Sequence, residues 1–137
     1  MPRRARVSEI MTREVVTVDP STPMSEVRRI LTDEDFHHLP VVSGTTPFGM
    51  VSSHDLLRLM KKQEILSGED RDEAIDRATT LEQTMKTDLV TMRHDDTVER
   101  AIDLLADGER HSVLVVDADE ALVGIVTNID VLEYLFD

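Results

Sequence analysis

Cysteine is absent from the 137-residue chain, which excludes disulfide bonds and thiolate metal sites. No apolar run reaches the roughly 18 residues that a membrane-spanning helix needs, and no apolar signal core follows the basic N-terminal residues. The nucleophile motif GxSxG and the phosphate-binding motif GxxxxGK[ST] are missing too. We therefore expect a soluble cytoplasmic protein without membrane association or enzymatic activity.

Lysine is scarce, occurring only at positions 61, 62 and 86, and arginine supplies the other basic residues. Acidic residues number 28 against 15 lysines and arginines, which gives a formal net charge of -13. Nucleic-acid affinity comes largely from neutralisation of phosphates by lysine and arginine, so this balance opposes general nucleic-acid binding. A local basic pocket for a small anion remains compatible with it.

The chain contains an internal repeat. At an offset of 74 residues Met11 matches Met85, and after one extra residue between positions 117 and 122 the offset becomes 75, so that Asp55 matches Asp130. A single gap in a polar turn is what two true copies should show. The period is longer than that of solenoid repeats, which favours two similar subdomains. The predicted parts are a first copy, a charged linker and a second copy, at residues 1–60, 61–80 and 81–137.

Each copy is predicted to fold as strand, helix, strand, strand, helix. In the first copy the β-branched run 15–18 predicts a strand, and Thr22 before Pro23 predicts a helix N-cap. In the second copy Asp96 and Glu99 have the spacing of a capping box. The other predicted strands are residues 39–42 and 48–51 in the first copy and 89–92, 113–116 and 122–126 in the second. The other predicted helices begin at residue 52 or 53 and end at 60 in the first copy, and span 97–107 and 129–136 in the second. Each unit covers one face of a small sheet, so we expect an α/β (α+β) fold whose two repeats pack with pseudo-two-fold symmetry.

The linker is polar and highly charged. Ala74, Ile75 and Ala78 have helical spacing, which predicts a partly helical segment. Gly68 predicts a helix stop near Leu66. We expect the charged residues of the linker to form a solvated face.

The best-matched stretch is the end of each copy, which has the pattern Gly-x-x-Ser/Thr-x-x-Asp. Its hydroxyl residue and aspartate are Ser52 and Asp55 in the first copy, Thr127 and Asp130 in the second. Before an apolar helix this pattern predicts a capping box. The same geometry suits a nucleotide, because a helix N-terminus presents N–H donors to phosphate and a carboxylate accepts hydrogen bonds from ribose. The residues alone leave both interpretations open.

The order and repetition of these motifs resemble a tandem pair of CBS domains, also called a Bateman module. The resemblance covers nearly the whole chain and is carried by Val7-x-x-Ile10-Met11-Thr12, Thr17-x-x-Pro20, His37-His38-Leu39-Pro40-Val41, Gly49 to Asp55, and the run from Leu81-x-x-x-Met85 to Leu135. It implies a β-α-β-β-α unit in each copy and adenosine-containing ligands in clefts between the two halves. AMP, ADP or ATP is the implied regulatory ligand, and no cofactor is required.

The resemblance also implies roles for individual residues. Asp55 and Asp130 would hold the ribose, and Ser52 and Thr127 would lie near the phosphate. The adenine would lie beside the first strand of each copy, where the matching side chains are Thr17 and Thr91.

Two polar clusters precede a strand in the two copies. Regulatory subunits of AMP-activated protein kinase resemble this chain here and carry a phosphate-contacting His-Arg pair. In the first copy His37 matches the histidine of that pair and His38 stands at the arginine position. In the second copy His111 matches the histidine, Ser112 stands at the arginine position, and Arg110 precedes them. The alternative is that these are ordinary polar residues of a helix-to-strand loop. The histidine spacings predict no transition-metal site, and no lysine is expected near the candidate site.

A second class of function remains open from the sequence. In it the repeated motifs are only helix caps, and the protein is a structural or dimerisation module that regulates an effector protein by contact. The final helix is apolar to its end, so we expect a homodimer in which a second copy covers it.

Overall fold

The computed structural model describes residues 5–34, 37–65 and 70–137 of the chain. The first copy contains α1 (Met24–Asp33), β1 (His38–Ser43), β2 (Thr46–Ser52) and α2 (Ser53–Lys62). The linker contains α3 (Arg71–Ala78). The second copy contains α4 (Leu81–Thr84), β3 (Thr91–Arg93), α5 (Val98–Leu105), β4 (Ser112–Val116), β5 (Leu122–Thr127) and α6 (Asn128–Phe136). The helix stop predicted at Gly68 lies outside the described residues.

The strands form two small sheets. β1 and β2 pair in a two-stranded sheet, and β4 lies between β3 and β5 in a three-stranded one. β3 is parallel to β4, whereas β5 is antiparallel to it. The pairing register shifts between Val115, opposite Gly124, and Val116, opposite Leu122. Val123 is thus left without an opposite residue in β4, which makes a bulge in β5 just after the gap that separates the two copies in sequence.

The strand predicted at residues 15–18 is wrong: only Val18 forms a bridge, parallel to Val41. The N–H of Val18 donates to the carbonyl of Pro40 over 3.1 Å, and the N–H of Val42 donates to the carbonyl of Val18 over 2.9 Å. The next upstream bond of a parallel ladder would need an N–H at Pro40, which proline lacks. Leu114 has the matching place in the second copy, where a strand does form.

Two helix starts also differ from prediction. α1 has Pro23 as its N-cap, because the Thr22 hydroxyl accepts the N–H of Asp19 over 3.1 Å and closes the preceding turn. α5 has Thr97 as its N-cap, with the hydroxyl accepting the N–H of Arg100 over 3.3 Å. Asp96 accepts the N–H of Arg93 instead. Short polar side chains compete for neighbouring N–H groups, so a motif alone places a cap only within a residue or so.

The chain divides into two compact units that do not coincide with the two copies. The first, called the Asp55 unit, contains the described residues of 16–44 and 48–89. The second, called the Asp130 unit, contains the described residues up to 15, together with 45–47 and 90–137. Each unit has its own buried core, in which the most deeply buried members include Leu39, Val41 and Leu81 in one and Val7, Val115 and Val126 in the other.

The linker helix packs on the first copy through its apolar side, and the described charged residues of the linker are exposed, as predicted. Ile75 of α3 is buried in the core of the Asp55 unit. Asp76 accepts both the backbone N–H and the hydroxyl of Ser25 in the first turn of α1. The predicted helical spacing of Ala74, Ile75 and Ala78 is confirmed by α3.

Candidate ligand site

Both repeated motifs form complete capping boxes. At the start of α2 the Ser52 hydroxyl accepts the N–H of Asp55 over 3.1 Å, and Asp55 Oδ2 accepts the N–H of Ser52 over 3.0 Å. At the start of α6 the corresponding distances between Thr127 and Asp130 are 3.2 and 2.9 Å. The capping role predicted from the sequence is therefore confirmed at both positions.

A histidine carbonyl completes each helix start. The N–H of Ser53 donates to the carbonyl of His37 over 3.1 Å, and the N–H of Asn128 donates to the carbonyl of His111 over 3.2 Å. A helix begins with four N–H groups that lack intrahelical partners. The capping box and the histidine satisfy three of them. The N–H of the second helical residue, His54 in α2, has no such partner among the described residues, which leaves it for a ligand.

The hydroxyl group of the capping residue provides one more hydrogen-bond donor at each helix start. Ser52 and Thr127 use their oxygens as acceptors in the capping boxes. A hydroxyl that accepts a hydrogen bond still has its own proton to donate. Each helix start can thus offer an anion one N–H and one O–H without breaking its cap.

The carboxylate of Asp55 is buried and paired with cations. The residue is only 7 % exposed, and it is the one buried charged residue in the described part of the chain. Its Oδ1 lies 3.5 Å from a guanidinium nitrogen of Arg58 and 3.7 Å from Nζ of Lys86. The expectation that no lysine lies near the site is wrong.

The Asp130 carboxylate has a different neighbourhood in the sequence and the fold. Asp130 is half-buried. At an offset of 75 the position of Arg58 is taken by Glu133, and at an offset of 74 Thr12 takes the position of Lys86. The backbone confirms the second match, because Lys86 bridges to Met50 and Thr12 bridges to Ile125, which are themselves matched positions. The repeat therefore preserves both caps and changes the charges beside them.

The other predicted residues divide between the two units. Thr17, His37 and His38 lie in the unit that contains Asp55, and Thr91, Arg110 and His111 lie in the unit that contains Asp130. Backbone bonds bring His37 to α2 and His111 to α6, and His111 Nδ1 also lies 3.3 Å from the amide nitrogen of Asn128.

Arg110 is engaged elsewhere, at the end of α5. A guanidinium nitrogen lies 3.5 Å from the carbonyl of Leu104 and 3.4 Å from Oδ2 of Asp107. A cation at a helix C-terminus stabilises the carbonyls that lack intrahelical partners. The structure thus gives Arg110 a structural role that the sequence pattern did not indicate.

Sequence reasoning missed Lys86, Arg58 and Thr12. Arg58 follows Asp55 by three residues, which on a helix places both side chains on one face. Lys86 is 31 residues further along the chain, and only the folded position of the segment after α4 brings it to Asp55. The repeat itself held a signal, because Lys86 follows Met85 as Thr12 follows Met11.

The described residues contain neither a metal-binding cluster nor a membrane-spanning helix. No group of three or more His, Asp or Glu side chains has a geometry that could hold a metal ion across residues 5–34, 37–65 and 70–137. No helix found in those same ranges combines the length and apolar character needed to cross a bilayer.

Comparison with known families gives a match over both copies. The CBS domain model matches residues 7–62 and again residues 80–137. Protein MJ1225 from Methanocaldococcus jannaschii is 26 % identical over 132 residues, which are 93 % of this chain and 46 % of that protein. The chain spans less than half the length of this and the other curated relatives that it matches.

Solved structures share the fold over nearly the whole chain. MJ1225 superposes with a TM-score of 0.83 and 24 % identity, covering 98 % of this chain and 49 % of the other. CBSX2, a CBS-pair protein of Arabidopsis thaliana, was solved in complex with AMP and gives a TM-score of 0.79 at 27 % identity, covering 95 % of both chains. The CBS domain pair of protein MJ0100, solved with 5′-methylthioadenosine and S-adenosylmethionine, gives 0.79 at 22 % identity and covers 97 % of both chains. These matches confirm the predicted α/β fold of two repeats.

Proposed function

Because this chain belongs to the CBS domain family, we propose that it is a regulatory module that binds an adenosine-containing ligand such as AMP, ADP or ATP. The family assignment agrees with the absence of nucleophile motifs from the sequence, and we assign the chain no catalytic step. The observation that carries the proposal is the capping box at the end of each copy, in which Oδ1 of the aspartate takes no part in the cap. The AMP complex of CBSX2, a relative of nearly equal length, supports the choice of ligand.

The ribose is assigned to the aspartates. In each capping box Oδ2 accepts the backbone N–H, so Oδ1 of Asp55 and of Asp130 can accept hydrogen bonds from ribose hydroxyls. Capping and binding thus use different oxygens of one carboxylate. The cap fixes the side chain in one orientation before the ligand arrives, which lowers the entropy cost of binding.

The phosphate of a ligand that carries one is assigned to the helix starts. The hydroxyls of Ser52 and Thr127 and the free N–H of the second helical residue point to this role, together with the positive end of the helix dipole. His37 and His111 border the helix starts through their carbonyls. His38 remains assigned to the phosphate side, and we place Arg110 further from the phosphate because it is bonded to the end of α5. Thr17 and Thr91 remain assigned to the adenine side.

The proposal is tested by calorimetry with purified protein and AMP, ADP, ATP and S-adenosylmethionine. We expect binding of at least one of these ligands, and loss of one binding event in each of Asp55→Ala and Asp130→Ala. Thr97→Ala is the control, since it removes a side-chain helix cap from α5 at a residue outside both repeated motifs. It should cost about 1 kcal/mol of stability, as caps do, without changing ligand binding.

The alternative function, a contact module that binds no ligand, makes the opposite prediction. The aspartate substitutions and Thr97→Ala would then all lower the free energy of unfolding, and no adenosyl compound at millimolar concentration would bind. Exposed apolar side chains on α6 are the specific observation that favours contact with another protein: Ile129, Leu132, Leu135 and Phe136. We propose that a second copy covers this face, and that the ligand acts on an effector protein through the dimer.

A further inference from the structure

We infer that the two sites take different classes of ligand: the Asp55 site takes phosphorylated nucleosides, and the Asp130 site takes adenosyl compounds without a phosphate. This inference rests on the proposed function and adds a selectivity to it. It comes from the charges beside the two carboxylates, which the repeat does not preserve.

The Asp55 site is the basic one. Arg58 and Lys86 lie within 3.5 and 3.7 Å of Asp55 Oδ1. Lys62, one turn beyond Arg58, lines with it and Asp55 a pocket of about 320 Å³. In a chain with a net charge of -13, two cations paired with one carboxylate and a third lining the adjoining pocket form a local positive surface.

The ion pairs of Asp55 are suited to exchange. Their distances exceed the 2.7 to 3.2 Å or so of a direct N–H···O hydrogen bond, and Arg58 and Lys86 are themselves 61 % and 60 % exposed. Ribose hydroxyls can replace the two cations at Oδ1. The cations are then left without their carboxylate partner unless the ligand brings a negative charge.

A phosphate supplies that charge. When a nucleotide binds, its ribose takes over Oδ1, and its phosphate, bound at the start of α2, becomes the anionic partner of Lys86 and Arg58, so every charged group keeps a partner. Adenosine has no phosphate, so it competes with the two cations for Asp55 without offering them another anionic partner. The exchange therefore favours AMP over adenosine at this site.

The Asp130 site has the reverse balance. Thr12 at the position of Lys86 carries no charge, and Glu133 at the position of Arg58 is an anion one turn into α6. A ribose can reach Oδ1 of Asp130 without displacing a lysine or an arginine at these two positions. A phosphate brought to the same place adds a negative charge near Glu133, which disfavours it.

The experiment isolates each site by removing the other aspartate. In Asp130→Ala protein, which keeps the Asp55 site, calorimetry should show AMP binding at least tenfold more tightly than adenosine. In Asp55→Ala protein adenosine should bind at least as tightly as AMP. The two probes differ only in the phosphate, so the ratio of their dissociation constants reports on the inferred selectivity.

The role of Lys86 is tested in the Asp130→Ala background. Lys86→Met should weaken AMP binding about tenfold, which corresponds to about 1.4 kcal/mol, and leave adenosine binding unchanged or tighter. Lys61→Met is the matched control, because Lys61 is an exposed lysine in the last turn of α2 and changes the net charge equally. Both side chains are exposed, so neither substitution threatens folding.

A gain of affinity completes the test. In the Asp55→Ala background, Thr12→Lys with Glu133→Arg should give the Asp130 site the charges of the other and reverse its preference toward AMP. Equal losses of AMP affinity in Lys86→Met and Lys61→Met, or equal AMP and adenosine affinities at both sites, overturn the inference while the proposed function stands. Binding of no adenosyl compound overturns the proposed function and the inference with it.

Discussion

Gly49 and Gly124 are required because a methionine occupies the space of a side chain. A Cβ at Gly49 would lie 2.6 Å from Sδ of Met85 and 3.0 Å from the carbonyl of Lys86. A Cβ at Gly124 would lie 2.5 Å from Sδ of Met11. The repeated glycine and the repeated methionine therefore pack against each other twice: Gly49 of the first copy against Met85 of the second, and Gly124 of the second copy against Met11 of the first.

Gly49→Ala is accordingly expected to destabilise the protein by about 1 to 3 kcal/mol, the usual cost of overpacking a buried contact. Urea denaturation measures the change in the free energy of unfolding. The double variant with Met85→Ala is the control, because it removes the sulphur that the new methyl group meets. If Gly49→Ala costs as much in that background as in the wild type, the two side chains are not coupled and the packing explanation is wrong.

At the same scale, Ser52 and Ser53 differ in role although they are adjacent. The sequence left open which of them begins α2, and the structure assigns the cap to Ser52. We expect Ser52→Ala to cost about 1 kcal/mol and Ser53→Ala to change stability by a few tenths at most. Thermal or urea unfolding of the two variants measures this. Equal losses would show that the hydroxyl of Ser52 does not cap the helix.

Among the elements, α1 and α3 are joined by a cap that comes from outside the helix. The N-cap of α1 is Pro23, which has no side-chain hydrogen bond to give. Asp76 of α3 accepts the N–H of Ser25 over 2.8 Å and the Ser25 hydroxyl over 2.7 Å. The linker helix thus does for α1 what Ser52 and Thr127 do for α2 and α6.

Asp76→Ala should therefore lower the free energy of unfolding by about 1 kcal/mol, the usual value of a helix cap. Asp72→Ala is the control, since Asp72 lies on the same helix and forms an exposed ion pair with Arg28 at 3.3 Å. Exposed pairs contribute little, so its loss should stay below about 0.5 kcal/mol. A larger effect at Asp72 than at Asp76 would contradict the capping role.

Elements with strong local signals were predictable, and those decided by distant groups were not. The β-branched run at 15–18 predicts a strand, but the missing N–H of Pro40 on the neighbouring strand limits the pairing to Val18. The periodicity around Ile75 predicted α3, yet nothing local shows that Asp76 would reach α1. The capping boxes were predictable because both partners lie within four residues, whereas Lys86 reaches Asp55 only through the fold.

At the scale of the whole molecule, the two copies share the residues that form the helix caps but differ in the charged residues beside the aspartates. Both copies keep the glycine, the hydroxyl cap and the aspartate, which hold each helix start in place. The residues beside the aspartates differ between the copies: Lys86 corresponds to Thr12, and Arg58 corresponds to Glu133. All four are exposed and contribute little to either core. Sites built on one scaffold can thus diverge in ligand without loss of stability, which is the physical basis for expecting unequal binding.

The exposed apolar face of α6 is expected to form a dimer interface. Leu132 is 50 % exposed and Phe136 86 % exposed, and Leu57, which matches Leu132 in the repeat, is 68 % exposed on α2. Apolar side chains grouped on one helix end are typical of an interface. We expect light scattering at micromolar concentration to give the mass of a dimer, and Leu132→Lys to give that of a monomer with unchanged unfolding behaviour. Lysine reduces the net negative charge, so dissociation cannot be attributed to increased repulsion between copies. Leu57→Lys tests whether α2 shares the interface, and a monomeric wild-type protein would refute the dimer.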